Sequence, residues 1–194
     1  MEMEAGVAGR NRGTMGSGRG GQDKEGEGSR RTRRERADSS LEEGWVRVMC
    51  DAGFKEGWGV GLGVVCWDHE EGVQWTVMER RRGMAEADEA EAEAILEGVK
   101  EAARRGVKRI VVESDCKSVI DILREGLQGR SFLFLVIDEI RNVCNNFDFI
   151  IWHFLGRKDT KIAHDLAHLS NSVIGGKMWE GRIPCSSEFS YMQF

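Results

Sequence analysis

The chain has 194 residues, 40% of them hydrophobic, which is room for one domain of ordinary size plus tails and enough apolar material for a core. No apolar run approaches the ~18 residues of a membrane-spanning helix, no signal-peptide core opens the chain, and the five cysteines (Cys50, Cys66, Cys116, Cys144, Cys185) form no CxxC pair. A reduced, intracellular protein, nuclear or cytoplasmic and neither secreted nor membrane-bound, is therefore expected. The net charge of -5 falls wholly on residues 45–194, because residues 1–44 carry nine basic and nine acidic side chains, and an acidic body argues against a tight, non-specific nucleic-acid binder.

Residues 1–44 are rich in Gly, Arg, Ser and Glu and nearly free of large apolar side chains, a composition that predicts a disordered tail. Five arginines fall between Arg30 and Arg36, the pattern of a nuclear address, an electrostatic tether or simply a solvated tail. From Trp45 the pattern changes. Val46 to Cys50, Val60 to Trp67 and Val73 to Met78 read as three strands of an antiparallel meander, with turns such as Asp68 to Gly72 between them. Ala87 to Arg105 reads as a helix that stops at Gly106. Arg109 to Glu113 predicts a fourth strand and Val119 to Leu123 a second helix. Phe132 to Val143 predicts a third helix, Phe147 to Phe154 a buried strand, and Ile162 to Leu169 a last helix. Residues 171–194 are expected to be a short tail. The order βββ-α-β-α-α-β-α predicts an α/β fold with a mixed five-stranded sheet, three antiparallel strands then two parallel, and helices on both faces.

Three acids stand where this plan brings them together. Asp51 directly follows the first strand, Asp115 follows the fourth, and Glu91 lies in the first turns of the helix between them. If the first and fourth strands are neighbours, both aspartates open on one edge of the sheet and Glu91 leans in from above. Such convergent carboxylates suit a hard divalent cation, and two such ions about 4 Å apart can activate water and stabilise the leaving oxygen of a phosphodiester. Spacing alone does not carry this, since single acids after strands are common turn residues.

The local sequences add to it. Val48-Met49-Cys50-Asp51-Ala52-Gly53-Phe54, Ala90-Glu91-Ala92 through Gly98-Val99, and Val111-Val112-Glu113-Ser114-Asp115-Cys116 resemble the three core motifs of type 1 ribonuclease H. They are most similar to its reverse-transcriptase-like branch, abundant in plants and in retrotransposons. The resemblance extends through Gly59 to Asp68, Trp152 to Arg157, Ala163 to Ala167 and the Trp179-Glu180 tail, about 125 residues in order. It implies a ribonuclease H-like domain over residues 45–170 that cleaves the RNA strand of RNA–DNA hybrids, leaving a 3′-hydroxyl. It also implies that Asp51, Glu91 and Asp115 are catalytic and hold Mg2+ (or Mn2+). Glu91 is preferred to Glu89 and Glu93 because the family's Glu precedes the Gly of its first helix, here Gly98, by seven positions. Glu113 is read as supporting rather than catalytic.

Two departures qualify the resemblance. The family's fourth acid is replaced by His164, which is kept as a catalytic candidate because an imidazole can bind metal or carry a proton. Asp165 is adjacent but projects about 100° away around a helix. The basic, Trp-bearing protrusion of bacterial relatives is also absent, the connection being only Gly126 to Ser131, so Arg80, Arg81, Arg82, Arg157 and Lys158 are the available phosphate contacts. A monomer that binds hybrid weakly and salt-dependently is expected. The alternative is a catalytically weak, domesticated domain that binds nucleic acid or a protein partner.

Overall fold

The computed structural model describes residues 41–55, 59–83, 86–170 and 175–189. The expected tail, with its arginine run Arg30 to Arg36, lies outside the described residues apart from 41–44.

The β-branched and aromatic runs form the meander β1 (Trp45–Lys55), β2 (Gly59–Trp67) and β3 (Val73–Arg81), paired antiparallel. Asp68 holds the turn between β2 and β3, its Oδ1 accepting from the amides of Glu70 and Gly72 at 2.9 Å each. Helix α1 (Ala87–Arg104) follows, and Gly106 beyond it takes the left-handed conformation that ends many helices, at φ 72°. Then come β4 (Arg109–Ser114), α2 (Lys117–Glu125), α3 (Phe132–Cys144), β5 (Phe149–Phe154) and α4 (Lys161–Ser170). Strand β4 lies parallel to β1, and β5 parallel to β4.

Among the described residues the sheet has six strands, in the order β5-β4-β1-β2-β3-β6 with β6 spanning Lys177–Glu180, rather than the five expected. The addition is β6, antiparallel on β3, inside the stretch read from sequence as a tail. Four residues are too few to show a periodicity; tertiary contacts make this strand. The Arg105 guanidinium at the end of α1 grips both oxygens of Glu180, at 2.9 and 2.5 Å, and Trp179 packs under the meander. Two further boundaries move for the same kind of reason. Strand β3 continues through Glu79-Arg80-Arg81, a charged run that reads as a turn, because Arg81 lies against Glu79 and the α1 residue Glu97 at 2.8 Å each. Strand β5 is an exposed edge rather than a buried strand: Phe149 and Ile151 are about half exposed (56% and 49%) because α4 packs over β1, β2 and β3.

Successive residues of β1 serve opposite faces. Val48 and Cys50 meet α1 in the larger core, where Ile95, Leu96 and Val99 are buried with Ile120, Ile137 and Ile140 of α2 and α3. Met49 faces the smaller core under α4, with Val65, Met78, Ala163 and Leu166. Each such aliphatic side chain contributes about 1.5–3 kcal/mol by leaving water.

Helix α4 sits unusually close to the sheet because Gly61 and Gly63 of β2 face it. A Cβ on Gly63 would collide with the Ala163 carbonyl oxygen and the Ala167 amide nitrogen, which are backbone atoms that cannot turn aside. Gly63→Ala is therefore expected to lift α4 and cost about 1–3 kcal/mol or more. Chemical denaturation reads this directly, and an unchanged midpoint would show that α4 is not seated as described.

Candidate metal centre

The sheet splits at the end where the acids lie. Pairing of β1 with β4 stops at Met49 opposite Glu113, while β1 runs on alone beside β2 as far as Lys55. Asp51 therefore lies within β1, opposite Gly63, and not after the strand as the sequence suggested. The glycines of β2 and the long hairpin keep Asp51-Ala52-Gly53 extended although none of the three is a strong strand former. Asp115 is the first residue beyond β4. Glu91, in the second turn of α1, leans into the fork and accepts the backbone N–H of Ala52, which β4 no longer covers.

The structure brings Asp51, Glu91 and Asp115 together, with one carboxylate oxygen of each within 4.8 Å of the others. Glu93 is turned instead towards Arg81, 3.8 Å away. Burial, the charge of Asp115 and a hydrogen bond that protonated Asp51 donates to Asp115 outweigh the stabilising contact of His164 and push the Asp51 carboxyl up to about 6. Burial first, then the charges of Asp51 and Asp115, push Glu91 up to about 9 against the opposing Ala52 amide. Glu91 Oε2 is buried and has no hydrogen-bond partner. A crowded, desolvated set of carboxylates with one orphaned oxygen fits a hard divalent cation, whose ligands are carboxylate oxygens and water.

The same values set a pH dependence for the metal-free protein. Between the unfolded values near 4 and the folded values of about 6 and about 9, the folded chain keeps protons that the unfolded chain has released. Stability then falls as pH rises, fully present below about 4 and lost through about 9. Thermal unfolding in chelator should show the melting temperature falling over this window and a flatter upper limb for Glu91→Gln; a flat wild-type curve would contradict the burial of these acids.

His164, in the first turn and a half of α4, places Nδ1 2.9 Å from Asp51 Oδ2 and so sits beside the cluster. Asp165 points elsewhere and pairs with Lys161 at 2.8 Å. Of the expected phosphate contacts, Arg157 comes nearest: its Nε is 3.3 Å from Asp115 Oδ2, and its side chain is 87% exposed. Lys158 follows it, exposed. Arg80, Arg81 and Arg82 lie at the same end of the sheet as Asp51, two strands away, but Arg81 is neutralised by Glu79, Glu93 and Glu97. Glu113 is buried between Arg47 and His153, at 3.4 and 3.2 Å, a supporting position.

Sequence reasoning missed three neighbours of the cluster. Arg157 was read as a phosphate contact without its link to Asp115. Asp88 accepts a hydrogen bond from Ser118 at 2.8 Å and so ties the start of α1 to the start of α2. His168 packs edge-to-face on His164, with ring centroids 4.4 Å apart, and the i,i+4 spacing was the available signal.

A six-stranded mixed sheet forked at a carboxylate cluster, with helices on both faces, is the architecture of a ribonuclease H domain. Residues 49–170 match the family model described as reverse transcriptase-like, and the chain belongs to that family. No curated protein matches the chain. Among solved structures, it is similar to the N-terminal ribonuclease H domain of rv2228c from Mycobacterium tuberculosis, solved as a fusion with maltose-binding protein (21% identity, TM-score 0.60, covering 66% of this chain and 93% of that one). It is also similar to ribonuclease H1 from the halophilic archaeon Halobacterium salinarum (20%, 0.60, covering 65% and 96%). A third is LC11 ribonuclease H1, solved in complex with RNA/DNA hybrid (15%, 0.57, covering 63% and 94%). At these identities the likeness establishes the fold. No helix among the described residues is long and apolar enough to cross a membrane.

Proposed function

We propose that the protein is a divalent-metal-dependent endonuclease that cleaves the RNA strand of RNA–DNA hybrids, with Mg2+ or Mn2+ held by Asp51, Glu91 and Asp115. The observation that carries this reading is the convergence of the three carboxylates, one with an orphaned buried oxygen, at the fork of a ribonuclease H sheet. The hybrid complex of the LC11 neighbour supports the substrate class.

When bound, divalent cations polarise the phosphodiester and make a bound water nucleophilic near neutral pH. The chain's own residues do the rest. Asp51 is fixed within β1 by its pairing with β2, Asp115 by the end of β4, and Glu91 by its bond to Ala52. His164 orients Asp51 through Nδ1. The exposed guanidinium of Arg157 is placed to hold a substrate phosphate beside Asp115, with Lys158, Arg80 and Arg82 extending the contact. The acidic body and the neutralised Arg81 make this grip weak and dependent on salt.

The test is an end-labelled hybrid incubated with the full chain in Mg2+ alongside RNA and DNA duplexes of the same sequence. The expected result is cleavage of RNA in the hybrid alone, leaving 3′-hydroxyl ends. No cleavage above that of Asp51→Asn would sink the proposal. Tight, metal-independent binding unaffected by Asp115→Asn would favour a binding module instead, a reading motivated by His164 in place of a fourth acid and the net charge of -5.

A further inference from the structure

We propose that His164 and His168 form a second cation site on the outer flank of α4, built from imidazole rather than carboxylate and suited to Zn2+ or a neighbouring transition metal.

Four residues apart on one helix, the two side chains share a face. Their ring centroids are 4.4 Å apart, and both rings line an open groove of about 530 Å3 between α4 and the segment Ile183 to Ser186. A tetrahedral ion with Zn–N bonds of about 2.0–2.1 Å spans nitrogens about 3.3 Å apart, a separation compatible with rings whose centroids lie 4.4 Å apart. Two histidines at this helical spacing are a recurrent zinc-binding pair.

The independent feature is Asp51. Its Oδ2 lies 2.9 Å from His164 Nδ1, which directs the lone pair of His164 to Nε2. A carboxylate on the far nitrogen is the usual outer support of a metal-bound imidazole. Ligand chemistry separates this site from the carboxylate cluster, since Mg2+ prefers oxygen and water whereas zinc, copper and nickel accept imidazole nitrogen. The proposal does not depend on the nuclease reading. Asp51 would serve both sites, as ligand in one and as support in the other.

Calorimetric titration of Zn2+ into the full chain, in saturating Mg2+, tests this. The expected result is saturable binding near one equivalent, retained in Asp115→Asn and lost in His168→Ala. His168 is exposed, so its replacement should leave the circular dichroism spectrum unchanged, and His164→Gln, expected to lose binding likewise, is the second variant. The Co2+-loaded chain should show no thiolate charge-transfer band. Absence of saturable binding, or binding unchanged in His168→Ala, would overturn the proposal. So would binding lost in Cys185→Ser with a thiolate band present, because Cys185 is an exposed thiol on the neighbouring segment.

Discussion

Asp51→Asn is expected to lower the rate of hybrid cleavage by about 10³-fold or more, the equivalent of the several kcal/mol that a metal ion contributes to transition-state stabilisation. Asn is nearly isosteric with Asp, remains compatible with the extended backbone opposite Gly63, and can still accept a hydrogen bond from His164 Nδ1. What it removes is the negative charge at the centre of the trio. Circular dichroism should therefore be preserved while activity is lost. The midpoint should even rise in chelator, because a buried carboxylate crowded by Asp115 and Glu91 is relieved. A loss of activity accompanied by unfolding would place Asp51 in the framework rather than in the chemistry.

The second large effect is the coupling of metal to stability. In the metal-free protein the three acids repel one another and Glu91 Oε2 lacks a partner, so a bound cation offsets both defects in the folded state alone. At a free Mg2+ or Mn2+ concentration 100 times the dissociation constant, linkage adds about 2.7 kcal/mol. For a domain of this size that raises the melting temperature by roughly 5–10 °C. Glu91→Gln should abolish the rise and melt higher than wild type in chelator, since the amide is neutral without the proton that Glu91, pushed up to about 9, must take up on folding. Equal metal-dependent shifts in wild type and Glu91→Gln would mean that the ion binds elsewhere.

The parts of this molecule written in short contiguous stretches were legible from sequence. The three consecutive β-type runs mark the meander, Gly106 marks the end of α1, and the contexts of Asp51, Glu91 and Asp115 point to the cluster. What was not legible depends on contacts between distant residues. Strand β6 exists because Arg105, more than seventy residues earlier, holds Glu180, and its four residues carry no pattern of their own. Strand β5 has the apolar content of a buried strand, yet its exposure is decided by where α4 packs. Asp51 looks like a turn residue because Ala and Gly follow it, but the hairpin carries β1 to Lys55. The charged run at Arg80 to Arg82 resembled a phosphate surface, and only the position of α1 shows that Arg81 is spoken for by Glu93 and Glu97. Likewise, nothing local in Arg157 announces that it reaches Asp115.

We propose Asp51, Glu91 and Asp115 as the ligands of a divalent cation. Anomalous diffraction from crystals of the full chain soaked in Mn2+ tests it most directly. One or two anomalous peaks are expected within bonding distance of these three carboxylates in the wild type, and their disappearance in Asp51→Asn. Wild-type crystals with Mn2+ bound at other positions and no peak between the three carboxylates would contradict it.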